Sequence, residues 1–288
     1  MSHPKDPITF QLSYSISYMS FLNQLIDSSR LLTVLHDNLD ESVKGDKLYD
    51  DVSTYLEKYT TFNNISPEVA EEIYTNYITH YNKHCKNFCK TLKYPIESGI
   101  TNYSVSREEY DIVLLLSVLF TPHRFKIMQL LHNGPAAEKA LFIGLGPGLE
   151  IFITKEKFKE IHAYDLSVNK FLFSEFPEAH LNIELYTGQN KNYFDSIYLI
   201  ELLEHLEDPY ELLAVCYGSL KKGGKIILTT ATDIPQFDHL YNFPKDHRNF
   251  EERVTKLGFK VIFKEEISHN YLTMELKPFN HFYTLEKI

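Results

Sequence analysis

The sequence has no tryptophan and only three cysteines, Cys85, Cys89 and Cys216. So sparse and odd a set of thiols excludes a disulfide scaffold and fits a reducing compartment. Long hydrophobic runs are also missing. The longest strongly apolar stretch, Ile112–Phe120, contains Ser117 and falls far short of the ~20 residues that span a bilayer. The start, MSHPKDPITFQ, lacks the basic residues and apolar run of a signal peptide. The expected location is therefore cytoplasmic, with no membrane partner. Positive charge is in deficit, with 29 Lys and Arg against 39 Asp and Glu and a net charge of −10. That balance argues against general binding to phosphate backbones and disfavours a nucleic-acid partner. There is no G-x-x-x-x-G-K-[ST] loop for ATP, no G-x-S-x-G elbow and no H-E-x-x-H pair.

What is present is an ordinary globular composition. The 288 residues are 43% apolar and 24% charged, which excludes disorder and allows one large or two modest domains. Phe and Tyr number 20 each, enough to pack a core or to wall a pocket for a flat ligand. The pattern changes near residue 135. Residues 1–135 read as an all-α domain. Ser66-Pro67-Glu68 starts one helix, and Val69, Ile73, Tyr77 and Tyr81 follow on a single face. Ser106-Arg107-Glu108-Glu109 has capping-box spacing, and Ile112–Phe120 after it reads as a buried helix. Thr121-Pro122 opens another, which Asn133-Gly134-Pro135 ends.

Residues 136–288 alternate short apolar runs with amphipathic segments. The expected strands are Ala140–Gly144, Ile161–Asp165, Leu181–Tyr186, Ser196–Ile200, Lys225–Thr230, Lys260–Lys264 and Phe279–Leu285. Helical patterns fill Tyr210–Leu220 and Phe250–Leu257. Such alternation predicts an α/β fold with a mostly parallel sheet and helices on both faces. Ligands of these sheets bind beyond the carboxyl ends of the strands, near the switch point.

The strongest local signal is ALFIGLGPGLEIF, where an apolar strand runs into Gly144, Gly146 and Gly148. Glycines permit the tight turn and let a ligand approach the backbone. Asp165 ends the next apolar run, seventeen residues beyond Gly148. An acid at that place can accept hydrogen bonds from both ribose hydroxyls, or it can cap the following helix. The glycine spacing is G-x-G-x-G rather than the dinucleotide G-x-G-x-x-G, and an acidic site suits a cationic cofactor better than a pyrophosphate.

Further pieces follow in order: YFDSIYLIELLEHLEDP, LKKGGKIILTT and LGFKVIF. With the glycine loop and Asp165 they resemble the class I S-adenosylmethionine-dependent methyltransferases over about residues 138–288. The resemblance implies a Rossmann-like seven-stranded sheet and S-adenosyl-L-methionine as cofactor. It implies methyl transfer to an O, N or C centre of a small-molecule acceptor. The alternatives are a protein or nucleic-acid methyltransferase, or a non-catalytic cofactor-binding scaffold. No N-P-P-[YF] sequence follows the fourth strand, which disfavours nucleobase methylation.

Carried onto this sequence, the resemblance implies cofactor contacts at Gly144, Gly146, Gly148, Asp165, Leu166, Gln189 and Glu201. Gln189 stands near the third-strand end, where many relatives have an acid, and its carbonyl can accept from the adenine amine. Lys222 replaces the usual proline before the double glycine and alters only a turn. The acceptor-side candidates are His205, His239 and Tyr241. His205 contacts cofactor or acceptor, or else starts a helix; His239 is an acceptor contact or base, or else a loop histidine. The helical domain is expected to cap the pocket, contribute acceptor walls or make a homodimer, and Tyr74, Tyr77, Tyr81 and Phe88 suit either a wall or helix packing. No metal is expected. His80, His84, Cys85 and Cys89 lie on one helix and cannot close around one tetrahedral ion. Some similar methyltransferases hold a metal for an oxygenated substrate, for which Asp238, His239, His247, His269 and His281 are the available side chains. Cys216, spaced with Leu212 and Leu213, reads as core.

Overall fold

The computed structural model describes residues 19–97, 105–269 and 276–288. Among the described residues, seven helices come first: α1 (Phe21–Ser28), α2 (Arg30–Asp37), α3 (Glu41–Lys44), α4 (Lys47–Phe62), α5 (Pro67–Thr91), α6 (Arg107–Phe120) and α7 (Pro122–His132). Their boundaries follow local chemistry. Ser66 caps α5 with Pro67 in its first turn. Ser106 and Glu109 complete a reciprocal capping box on α6. The apolar run predicted from sequence is the buried body of α6.

The sheet then begins with β1 (Ala137–Ile143), followed by α8 (Leu149–Thr154), β2 (Phe158–Asp165), α9 (Lys170–Glu175) and β3 (His180–Ile183). The second half comprises β4 (Phe194–Leu199), α10 (Pro209–Ser219), β5 (Leu220–Thr232), α11 (Arg248–Lys256), β6 (Phe259–Ser268) and β7 (Phe279–Lys287). Strand order is β3-β2-β1-β4-β5-β7-β6. The pairings from β3 through β5 are parallel, and β7 is antiparallel to β5 and β6. This is the Rossmann-like seven-stranded sheet expected. All seven strands fall where the apolar runs lie. β3 stops at Ile183, three residues before the expected end, because Leu185 is exposed and Tyr186 turns inward alone.

Alternation along β1 sends Phe142 to one face and Leu141 and Ile143 to the other. On the first face Phe142 and Tyr198 join a cluster that continues into Tyr55 of α4, Leu116 of α6 and Met128 of α7. On the opposite face Leu141, Ile197 and Leu228 pack with Leu213 of α10 and Phe250 of α11. The helices before residue 135 therefore share a core with the sheet and form one of its covering layers. Burying each such large apolar side chain contributes about 1.5–3 kcal/mol. Cys216 is buried in the second cluster, as its spacing indicated.

His247, placed at the start of α11, is fastened on both ring nitrogens. Nδ1 is 3.1 Å from the Tyr283 hydroxyl and Nε2 is 3.3 Å from the Thr232 hydroxyl. Burial pushes its pKa down to about 4, with Lys264 adding and Glu251 and Asp246 opposing. The folded protein therefore refuses a proton that the unfolded chain accepts below about pH 6.5. The stability that His247 contributes is intact above that value and is lost as pH falls toward 4. The gap in Tm between the wild type and His247→Gln should accordingly shrink from about pH 7.5 to about pH 4.5. A gap constant over that range contradicts this assignment.

Candidate active site

The chain reverses its direction of strand addition between β1 and β4, and a cavity of about 240 Å³ opens there at the carboxyl ends. Its floor is the glycine loop. Gly144 has φ +76°, a conformation that strains any L side chain, and a Cβ there would also press on Leu202 Cδ1 at 2.9 Å. Gly146 lines the cavity, whereas Gly148 packs against Leu172 and Phe176 at the start of α8.

The loop is held from above by the helical layer. The Tyr55 hydroxyl of α4 donates to the Pro147 carbonyl at 2.6 Å. Arg107 of α6 donates to the Gly146 carbonyl at 2.5 Å and to Asp165 Oδ1 at 3.4 Å, and its Nε reaches Asp111 Oδ1 at 2.9 Å. Asp111 is fully buried and also accepts from the Tyr59 hydroxyl at 2.8 Å. Burial raises its pKa to about 6 against the opposing pull of Arg107 and Tyr59. Asp165 sits at the end of β2, where its Oδ2 accepts from Leu145 N–H at 2.7 Å and its Oδ1 from Ser167 N–H at 2.9 Å. Glycine loop, strand end and α6 thus meet at one carboxylate.

Beyond β4, Glu201 has φ +49°, a conformation rare outside glycine. Its N–H donates to Thr229 Oγ1 at 2.6 Å, and its carboxylate accepts from Arg124 at 2.7 Å and Asn280 at 2.8 Å. Arg124 is half-buried in the cavity wall, and its buried Nε has no hydrogen-bond partner. Glu204 is buried, and burial followed by repulsion from Glu201 raises its pKa well above the usual range. Burial likewise holds His239 well below its ordinary value, with neighbouring His205 adding to the effect. The segment after β5 is fixed by Gln236, which accepts from the Tyr77 hydroxyl at 2.8 Å and donates to the Tyr110 hydroxyl at 2.9 Å.

Of the residues singled out in the sequence, Gly144, Gly146, Asp165, Glu201, His205 and His239 line this one cavity, with Tyr74, Tyr77 and Tyr81 in its helical wall. His239 is buried, rather than a loop histidine facing solvent. Four expected site residues do not line it: Gly148, which packs against Leu172 and Phe176, and Leu166, Gln189 and Tyr241. Leu166 is exposed, and Gln189 is exposed with its side-chain carbonyl taken by Thr187 N–H at 3.1 Å. Tyr241 packs against Tyr210 and Phe243 instead. Of the five side chains considered for a metal near the acceptor, His247 and His281 lie outside the cavity, while Asp238, His239 and His269 line it. His80, His84, Cys85 and Cys89 all lie on α5, as the spacing required. Sequence reasoning missed Arg107, Arg124 and Glu150. Each occupies an ordinary charged position on a helix, and nothing local signals a partner 58 or 77 residues away.

Residues 141–228 match the family model described as a methyltransferase domain. The sequence is 27% identical over 107 residues to the ubiquinone biosynthesis O-methyltransferase of Idiomarina loihiensis, covering 34% of this chain and 44% of that protein. It is 24% identical over 110 residues to the enzyme of the same name from Xanthomonas axonopodis pv. citri, covering 35% and 46%. The chain thus spans less than half the length of these curated relatives. Among solved structures, the 1,6-didemethyltoxoflavin-N1-methyltransferase of Burkholderia thailandensis aligns over 64% of this chain and 92% of its own, at 16% identity and a TM-score of 0.47. YcgJ from Bacillus subtilis aligns over 57% and 98%, at 12% identity and a TM-score of 0.47. The match places a methyltransferase domain within the α/β part of the chain, at residues 141–228.

The electrostatics of the node on Asp165 can be tested by stability. Arg107→Met leaves Asp111 buried without its guanidinium. It should cost about 3 kcal/mol, the low end for breaking a buried pair because a fifth of the Arg107 side chain is exposed. Arg107→Met combined with Asp111→Asn should recover part of that loss, as read from urea midpoints. Losses that simply add would show the two side chains to be uncoupled.

Proposed function

We propose that the chain transfers a methyl group from S-adenosyl-L-methionine to a hydroxyl of a small-molecule acceptor held between the glycine loop and the helical layer. The observation that carries the reading is the convergence of the Gly144–Gly146 turn and the Asp165 carboxylate on one cavity at the switch point. The residues present fit that cofactor. The turn offers backbone without side chains, and the Arg124 Nε is a buried donor still lacking an acceptor. Five acidic side chains line the cavity (Glu150, Asp165, Glu201, Glu204 and Asp238) against two guanidiniums, Arg107 and Arg124; burial holds Glu150 and Glu204 toward their neutral forms, and a bound cation would favour their ionisation.

When bound, the cofactor supplies a methyl group already activated by its sulfonium. The protein's own work is then to bind, orient and exclude water. Asp165 would accept the ribose hydroxyls once Arg107 releases its Oδ1. Arg124 and Glu201 would take the carboxylate and ammonium of the methionine portion. His205 and His239 stand on the acceptor side. The helical layer acts as the cap, with Tyr74, Tyr77 and Tyr81 forming a wall against solvent. An enclosed, acidic cavity suits a metabolite better than a protein or nucleic-acid chain, and the similar O-methyltransferases favour oxygen as the acceptor atom.

Asp165→Asn tests the cofactor role. It should weaken S-adenosylhomocysteine binding roughly 10- to 100-fold by titration calorimetry, the effect of losing a charged hydrogen-bond acceptor. An unchanged Kd in a variant that melts like the wild type would contradict the ribose assignment.

A further inference from the structure

We propose that Glu204, His205 and His239 form a binding site for a divalent metal ion of zinc type, facing the acceptor side of the cavity. One carboxylate oxygen of Glu204 and one ring nitrogen from each histidine all lie within 4.8 Å of one another. The second observation is independent of that clustering. Glu204 Oε2 and His239 Nδ1 are both buried and have no hydrogen-bond partner. Glu204 is only 1% exposed and His239 only 4%. Buried polar atoms left without partners on two neighbouring side chains are costly to the apoprotein, and a cation held between those side chains would satisfy both.

The surroundings have the features of a metal's outer shell. On the His239 ring, Nδ1 is a buried nitrogen without a hydrogen-bond partner and so is available to ligate. His205 Nδ1 faces Asp238, 3.4 Å from its Oδ2 and 3.3 Å from its carbonyl oxygen, which leaves Nε2 to ligate. The two ligand-bearing segments are tied together by their backbones, since Leu240 N–H and Tyr241 N–H both donate to the Glu204 carbonyl, at 2.8 and 2.9 Å. The nearby positive charge of Arg124 is countered by its pair with Glu201.

Two imidazoles and a carboxylate are the donor set of three-ligand zinc sites that keep one position open. Ligand atoms about 2.0–2.1 Å from a tetrahedral zinc stand roughly 3.4 Å apart. The present spacing would therefore close by up to about 1.4 Å on loading. The open position faces the cavity, where it would take an oxygen donor, a hydroxyl or phenolate of the acceptor. Only that last assignment rests on the methyltransferase reading. A second grouping of possible ligands, Glu160, His162 and His180, is partly exposed, and Glu160 is already engaged by Tyr193, His162 and Lys139.

The test is titration of the chelator-stripped full-length chain with Zn²⁺ alone, without cofactor or acceptor. The wild type and His180→Ala should each bind one ion, while Glu204→Gln and His239→Asn should bind at least 100-fold more weakly. The visible spectrum of the Co²⁺-substituted wild type reads the site without any variant and should be intense and tetrahedral. No binding by the wild type, unchanged binding in Glu204→Gln and His239→Asn, loss in His180→Ala instead, or a weak octahedral cobalt spectrum would each overturn the proposal. S-adenosylhomocysteine binding, measured separately, reports on the methyltransferase reading, so either can fail alone.

Discussion

The guanidinium of Arg107 is the contact on which the arrangement of this molecule depends. It stands where α6, the glycine loop and the end of β2 meet, and it bonds to all three through Asp111, the Gly146 carbonyl and Asp165. Because Asp111 is buried, its carboxylate has no solvent to fall back on if Arg107 is lost. Tyr55 reinforces the same seam through Pro147, and Tyr59 completes the hydrogen bonding of Asp111. The helical layer is thus fastened to the backbone of the loop that floors the cavity. A motion of α6 and the accessibility of Asp165 are coupled through one side chain.

The cavity's chemistry follows from that enclosure. Covering the carboxyl ends of β1, β2 and β4 with helices removes water from several acids at once. Glu150 illustrates the consequence, since burial pushes its pKa up to about 7. An interior with more carboxylates than guanidiniums is tolerable when it receives a cation. A sulfonium beside the glycine loop and a metal ion near Glu204 answer the same electrostatic demand at two places. The first relieves the acids around the strand ends, and the second satisfies atoms left without partners beneath the segment after β5.

The fold was legible because its determinants are local or periodic. Ser106 and Glu109 signal the start of α6 by themselves, and the apolar runs ending at Ile143 and Asp165 are strands with no other reading. That Gly144, Gly146 and Asp165 come together was legible for a similar reason, since a glycine turn and an acid at successive strand ends are fixed by the order of elements. Arg107 and Arg124 were not legible, because their roles arise from pairings across the interface between the helical layer and the sheet. Gln189 and Leu166 were named by position relative to strand ends. The loop after β3 turns the Gln189 amide back onto Thr187, and Leu166 points to solvent. Tyr241 was adjacent in sequence to the right segment, but its ring leaves the cavity to pack with Tyr210 and Phe243.

The strand-end carboxylate of Asp165 is the proposed seat of the cofactor's ribose, and the other assignments in the cavity follow from it. A crystal structure of the full chain with S-adenosylhomocysteine reads this directly. The expected result is both ribose hydroxyls on the Asp165 carboxylate, the nucleoside lying over Gly144 and Gly146, and the Arg107 guanidinium withdrawn from Oδ1. A nucleoside bound elsewhere, or one bound in the cavity with its sugar away from Asp165, would contradict it.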